Sequence, residues 1–189
     1  SPQNEKTPFH PRSVYGISKV AGFELTRYYR EAFDMHASSG ILFNHESERR
    51  GFEFVTRKIT HSAAKIKLGY QKKLELGNIE AKRDWGYAPE YVEAMWLMLQ
   101  DKKGDDYVVG TGKAYSVKDF ANIAFKMLGM DYHKFLKIKK DLYRPSEVET
   151  LISDSSKIKK KFGWKPKVSF ERLVDKMVKN DYNILKKKN

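Results

Sequence analysis

The stretch Ala37-Ser-Ser-Gly-Ile-Leu-Phe-Asn-His-Glu-Ser-Glu-Arg-Arg-Gly51 decides how this chain is read. Small residues lead into the apolar run Gly40–Phe43, which stops abruptly at a block of polar and charged residues closed by Gly51. Ala37–Phe43 reads as a buried strand, and Asn44–Gly51 as a dense polar loop at its carboxyl end. Ligands of open α/β sheets bind at such ends. Upstream, Ser13 can cap a helix running to about Phe33, with Val20, Phe23, Leu25 and Tyr28 among its larger side chains. Gly16 and Gly22 are poor helix residues and mark close packing.

Downstream the alternation continues. Val55, Ile59, Ala63 and Ile66 recur at helical spacing and predict a helix over Phe54–Leu68. Leu74–Leu76 reads as a short strand. Pro89 suits the first turn of a helix to about Leu99, with Val92, Met95, Trp96 and Leu99 on the inner face. Tyr107–Val109 is a strand ending at Gly110-Thr111-Gly112. Ser116 and Asp119 form a capping-box pattern for a helix that turns Phe120, Ala124 and Leu128 inward. Lys134–Ile138 reads as a strand, and Asp154 or Ser155 opens a short basic helix ending near Gly163. Ser169 caps a last helix whose Phe170, Leu173, Val174 and Met177 make a clean stripe. Strands alternating with helices make the class α/β.

Composition narrows the function classes. The chain has 189 residues, 40% hydrophobic and 13% aromatic, enough for a sizeable core. It has no cysteine, which excludes a disulfide scaffold, a thiolate metal centre and a cysteine nucleophile. The five histidines lack metal-ligand spacing, so no metal is expected. No apolar run approaches a membrane span, so no membrane contact is expected. No targeting pattern is visible either, and the reading is a soluble, cytoplasmic piece of something longer. The formal charge is +13. Lys157–Asn189 holds twelve Lys/Arg against three Asp/Glu, so the excess is a C-terminal feature. Those basic runs lack interleaved aromatics for base stacking and coincide with an amphipathic helix. A solvated basic face fits them better than a nucleic-acid site.

Several constellations could carry chemistry. Tyr15 and Lys19 lie four apart on one helix, hence on one face. An ammonium beside a phenol favours the phenolate, which can take a proton from a sugar hydroxyl while a hydride leaves the same carbon. The same spacing also fits an ordinary surface pair. Arg49 and Arg50 can grip phosphates bidentately, or close a local salt bridge to Glu46 or Glu48. Lys82-Arg83-Asp84-Trp85-Gly86 fits an arginine on a phosphate above a packed Trp, and fits equally a buried Trp with an Arg–Asp pair. In Tyr143-Arg144-Pro145-Ser146-Glu147, Arg144 and Glu147 can offer a donor and an acceptor to a guanine edge, or pair with each other in a turn.

Taken in order, these segments resemble a known family. Thr7-Pro-Phe-His-Pro-Arg-Ser-Val-Tyr-Gly-Ile-Ser-Lys19 resembles the active-site helix of extended short-chain dehydrogenases/reductases. Gly40–Gly51, Phe54–Ile59, Leu76–Gly86, Tyr91–Leu99 and Tyr143–Val148 together resemble the GDP-mannose 4,6-dehydratases, over essentially the whole chain. The resemblance implies the C-terminal part of a Rossmann-like parallel sheet plus a smaller mixed α/β substrate domain. Residues 1–45 would belong to the NADP-binding Rossmann domain and 46–189 mainly to the nucleotide-sugar domain, with about 84–112 returning to the sheet.

It also implies an activity, conversion of GDP-mannose to GDP-4-dehydro-6-deoxy-mannose, a step toward GDP-fucose. The route is transient oxidation at C4 by NADP, loss of water across C5 and C6, and reduction at C6. Tyr15 would take the O4 proton. Lys19 would hold the nicotinamide ribose and favour the phenolate of its neighbour. His45 and Arg50 fall where the family contacts NADP. Asn44, Lys58, Arg83, Arg144 and Glu147 fall where it holds the GDP-sugar, the arginines on the diphosphate. Family members form homodimers or homotetramers, partly through the Tyr15 helix.

This sequence departs from the family at Glu48, where a proline is usual, and at Tyr87, where a histidine is usual. The family's Gly-rich phosphate motif and its catalytic Thr and Glu have no counterpart in these 189 residues. The chain is therefore expected to be a C-terminal portion, inactive by itself. The competing expectation is a nucleotide-sugar or polyanion binding module without catalysis.

Overall fold

The computed structural model describes residues 2–143 and 148–187. The chain begins with α1 (Val14–Phe33), whose cap Ser13 accepts from the Gly16 N–H. A strand β1 (Ser39–Leu42) follows, then β2 (Asn44–Glu46) and α2 (Val55–Lys67). Three short strands come next, β3 (Leu74–Leu76), β4 (Lys82–Arg83) and β5 (Trp85–Tyr87), the last leading directly into α3 (Ala88–Met98). Then come β6 (Asp106–Val109), β7 (Tyr115–Ser116), α4 (Val117–Met127) and β8 (Leu136–Ile138). Two helices close the chain, α5 (Ser156–Phe162) and α6 (Phe170–Lys186).

The described strands pair two by two. β1 with β6, β2 with β5, and β3 with β8 are parallel, and β4 with β7 is antiparallel. Parallel pairs connected through helices make this an α/β architecture.

Several ends follow from local chemistry. Ser116 and Asp119 bond each other's backbone N–H in a full capping box at α4, despite the shorter Asp. Ser169 accepts from the Arg172 N–H to open α6. Gly163 closes α5 at φ 70°, a conformation that costs glycine nothing.

Two apolar clusters hold the fold. The larger joins α2, α4 and α6, with Ile59, Ala63, Phe120, Phe125, Leu173 and Met177 fully buried. Trp85 and Phe170 stack at its edge, 5.9 Å apart. The smaller cluster lies under α3 and includes Tyr91, Tyr107, Ile158 and Trp164.

Four expectations need correction. The face of α3 is reversed: Tyr91, Ala94 and Met98 point inward, while Val92, Met95, Trp96 and Leu99 are exposed. This helix carries large apolar residues all round, so spacing could not choose its face. The strand after Ala37 is Ser39–Leu42 and only half-buried, since a single described neighbour, β6, flanks it. The polar block is not wholly a loop, because Asn44–Glu46 forms β2 and Glu46 is buried. Pairing with β5, forty residues away, overrides the local signal. Of the two helix glycines, Gly16 sits close against Pro11, whereas Gly22 has nothing within 4 Å.

Candidate active site

β1 and β6 run in the same direction, so Leu42 and Val109 end at one edge. The Phe43 N–H donates to the Val109 carbonyl at 2.9 Å and extends the pairing by one residue. From that edge β1 leads into Asn44, and β6 into Gly110-Thr111-Gly112. Asn44 aligns with Trp85 and His45 with Gly86. Arg83 thus lies two residues upstream of the partner of Asn44.

Asp84 organises this edge. It is fully buried and accepts five hydrogen bonds from described residues. Oδ1 takes the Thr111 N–H at 2.8 Å and the Thr111 hydroxyl at 2.6 Å. Oδ2 takes the Gly112 N–H at 2.9 Å, the Ser153 N–H at 3.1 Å and the Ser153 hydroxyl at 2.6 Å. Its neighbour Arg83 donates to the carbonyls of Lys82 and Val148. Lys82 exchanges backbone bonds with Glu149 and Leu151. The segment beginning at Val148 is therefore docked on β4 by main chain, Arg83 and Asp84 together.

His45 is fixed from two sides. Its Nδ1 donates to the Phe43 carbonyl at 2.9 Å, and its ring stacks on Tyr91 with centroids 5.0 Å apart. Tyr91 in turn fills the space over Gly86, where a Cβ would lie 2.4 Å from its ring. A residue larger than glycine at 86 would displace the ring on which His45 rests.

The loop after β2 is tied to a buried carboxylate. Glu46 accepts the Thr56 hydroxyl at 2.6 Å, and Arg50 Nε lies 3.2 Å from the same oxygen. Arg50 also lies over the Phe54 ring, 3.5 Å from its centre. Arg49 is exposed. Glu48 and Tyr87 touch: the Tyr87 hydroxyl donates to Glu48 at 3.4 Å.

Burial pushes the Glu46 carboxyl above the usual carboxylate range, against the opposing pull of Thr56 and Arg50. A carboxyl raised in the fold contributes stability that is fully present below its unfolded value and is lost as pH rises through the folded one. Stability is therefore expected to decline as pH climbs upward from the ordinary glutamate range, and Glu46→Gln is expected to flatten that slope. Denaturation midpoints across about pH 4–8 check this; an unchanged slope in the variant would assign it to another group.

Tyr15 and Lys19 lie near the start of α1, both exposed, with the ammonium 5.2 Å from the ring centre. The helix packs on β1 and is anchored by Arg30, which grips Asp106 bidentately at 2.9 Å. Lys58 is half-buried in the first turn of α2. Asn44, His45 and Arg83 are thus gathered around one strand edge and Arg50 lies in the adjoining loop, while Tyr15 and Lys19 sit on a separate element. Arg144 and Glu147 lie outside the described residues. Trp85 is a buried core residue, and Asp84 binds the 110–112 loop and Ser153, roles the sequence reading had not separated.

The basic C-terminal region is partly neutralised. Lys157 pairs with Asp105, Lys161 with Asp101, Lys167 with Glu93 and Lys179 with Asp175. Among the described residues, no helix is long and apolar enough to cross a membrane, and no acidic or histidine cluster could hold a metal ion.

Comparison with known proteins agrees with this fold. Among solved structures, the Pseudomonas aeruginosa RMD complexed with NADPH superposes with a TM-score of 0.87 at 18% identity, covering 96% of this chain and 60% of that one. The Bacillus anthracis dTDP-glucose 4,6-dehydratase in complex with NAD gives 0.85 at 18% identity, covering 99% and 57%. At that identity they establish the fold, a partial Rossmann-like α/β arrangement.

Sequence relatives are much nearer. GDP-mannose 4,6 dehydratase 1 of Arabidopsis thaliana is 54% identical over 98% of this chain and 52% of its own length. The Homo sapiens GDP-mannose 4,6 dehydratase is 44% identical over 98% of this chain and 54% of its own. The chain spans about half the length of these relatives. The family model described as GDP-mannose 4,6 dehydratase matches residues 1–177, which takes in β1, the Asp84 hub and the Tyr15 helix. On that match and those identities, the chain belongs to the GDP-mannose 4,6 dehydratase family.

Proposed function

We propose that this chain is the C-terminal, sugar-nucleotide-holding portion of a GDP-mannose 4,6-dehydratase, a carbon–oxygen lyase that uses NADP. The observation that carries the proposal is identity of 54% and 44% to such enzymes over 98% of this chain. Residues 1–45 and roughly 84–112 would contribute to the cofactor-binding sheet, and the remainder to the substrate domain. The two separate apolar clusters support a division into two parts, the smaller one lying under α3 and β6.

The residues present suit a nicotinamide dinucleotide. Lys19 is an exposed ammonium able to hold ribose hydroxyls. Arg49 and Arg50 suit phosphate, and the solvent-facing Arg49 favours the form with the additional phosphate. His45 is held by the Phe43 carbonyl through Nδ1, so its ring is fixed and Nε2 is left for a cofactor contact. A bound nicotinamide supplies a reversible hydride acceptor. Tyr15 removes the proton from the sugar O4, with the Lys19 ammonium beside its ring on the same helix face. Asn44 holds the GDP-sugar at the strand edge and Arg83 and Arg144 its diphosphate, with Lys58 and Glu147 nearer the base or ribose. The native enzyme is proposed to be a homodimer or homotetramer. Exposed Val14, Ile17, Leu25, Tyr28 and Phe33 on α1 support an association surface there. The 189 residues alone are proposed not to turn over.

The test is direct. The native polypeptide carrying these residues, given GDP-mannose and NADP, should yield a sugar nucleotide lighter by one water, with no net change in nicotinamide absorbance. Salt-sensitive nucleic-acid binding without GDP-mannose affinity would instead support the polyanion module.

A further inference from the structure

We propose that Arg57 and Asp181 form a positioning clamp by which α6 sets the conformation of the loop 47–50 and so the placing of Arg50. The inference rests on the reading of Arg50 as a cofactor contact. Arg57 is 6% exposed and Asp181 is 1% exposed, yet they are 124 residues apart in sequence. One edge of the guanidinium meets the carboxylate: Nε lies 2.8 and 3.0 Å from the two oxygens and Nη2 lies 2.7 Å from Oδ1. Thr60 adds its hydroxyl to Asp181 at 2.6 Å.

The other edge points at the loop. Nη1 donates to the Glu48 carbonyl and, at 2.8 Å, to the Arg50 carbonyl. These carbonyls bracket Arg49 and Arg50. α6 reaches the same loop once more directly and once through Tyr87. Asn180 donates to the Glu48 carbonyl at 3.5 Å, and Lys176 lies over the ring of Tyr87, whose hydroxyl bonds Glu48. Phe52 covers the guanidinium at 4.6 Å.

A buried ion pair is poor evidence for stability, because desolvation offsets much of the attraction. This arrangement does something a local pair does not. It fixes two backbone carbonyls of a polar loop through a planar, two-edged donor. Lysine keeps the charge opposite Asp181 but cannot span both edges. Arg57→Lys therefore separates the clamp from the ion pair.

The experiment uses the native polypeptide and compares equilibrium affinities for NADP and GDP-mannose. Arg57→Lys is expected to weaken NADP about tenfold and leave GDP-mannose within about twofold, the loss of roughly one charge-assisted bond. Thr60→Val loosens the same buried cluster without touching the loop carbonyls. It is expected to lower thermal stability and leave NADP affinity unchanged. Equal loss of both ligands in Arg57→Lys, or NADP loss as large in Thr60→Val, reduces the pair to a structural one and overturns the clamp. If Arg57→Lys does not fold, Asn180→Ala removes the direct α6 bond and should weaken NADP by about twofold to threefold; no change there also overturns it. Arg50→Lys separates the two levels. If it weakens NADP while Arg57→Lys does not, only the clamp fails. If neither does, the cofactor reading of the loop fails with it.

Discussion

Tyr15→Phe in the native polypeptide is expected to lower kcat by about 10²–10⁴-fold, the usual contribution of a positioned acid–base group. The substitution removes one oxygen from a ring that is already 72% exposed. Stability should therefore move by no more than about 0.5 kcal/mol. GDP-mannose affinity should hold, because the GDP-sugar is assigned to Asn44 and Arg83 on other elements. The informative result is the split. A large fall in kcat with unchanged binding and unchanged melting places the phenol at the reacting carbon. A variant that keeps a tenth of its activity or more removes Tyr15 from the chemistry. The helix then serves only as a scaffold whose exposed ammonium and ring make a surface cation–π contact.

Asp84→Asn is expected to cost about 2–4 kcal/mol, an effect on stability rather than on one step. The variant keeps the volume but replaces one acceptor oxygen with an NH₂ group that faces donors. Whichever oxygen is lost, at least two of the five bonds from Thr111, Gly112 and Ser153 are broken, and at least one backbone N–H loses its only partner among the described residues. Repacking is blocked nearby, since a Cβ at Gly110 would lie 3.1 Å from Oδ2 and 2.3 Å from the Ser153 hydroxyl. Loss should reach the site as well, because the same carboxylate sits between Arg83 and the loop that follows β6. Urea denaturation gives the first number and GDP-mannose titration the second. A change below about 0.5 kcal/mol would mean that water replaces the missing acceptor and that Asp84 is no hub.

The helices were legible because their signals are local. Ser13, Ser116 with Asp119, and Ser169 each mark a helix start that the structure reproduces, and the stripe Phe170, Leu173, Val174 and Met177 is buried as expected. Of the shortest strands, Leu74–Leu76 and Leu136–Ile138 were legible and four others were not. β2, β4, β5 and β7 exist through partners far away in sequence, and no pattern of that length has a period to read. Asp84 and Arg57 were hidden for the same reason. Each stands in a motif singled out for its neighbours, Arg83 in one and Lys58 in the other, while its own partners lie tens of residues away. The edge around Asn44, His45 and Arg83 was within reach of motif reading. The salt bridge that occupies Arg50 was open as an alternative, and only the geometry chose it.

The outward turn of α3 has a use of its own. Of the three tryptophans, Trp85 and Trp164 are 2% and 4% exposed, whereas Trp96 is 60% exposed. Emission from this molecule therefore divides into two sealed fluorophores and one bathed in water, which a collisional quencher such as iodide singles out. Any polypeptide or ligand that settles on that side of the helix will announce itself as a blue shift and a loss of quenching at one indole, with no label attached.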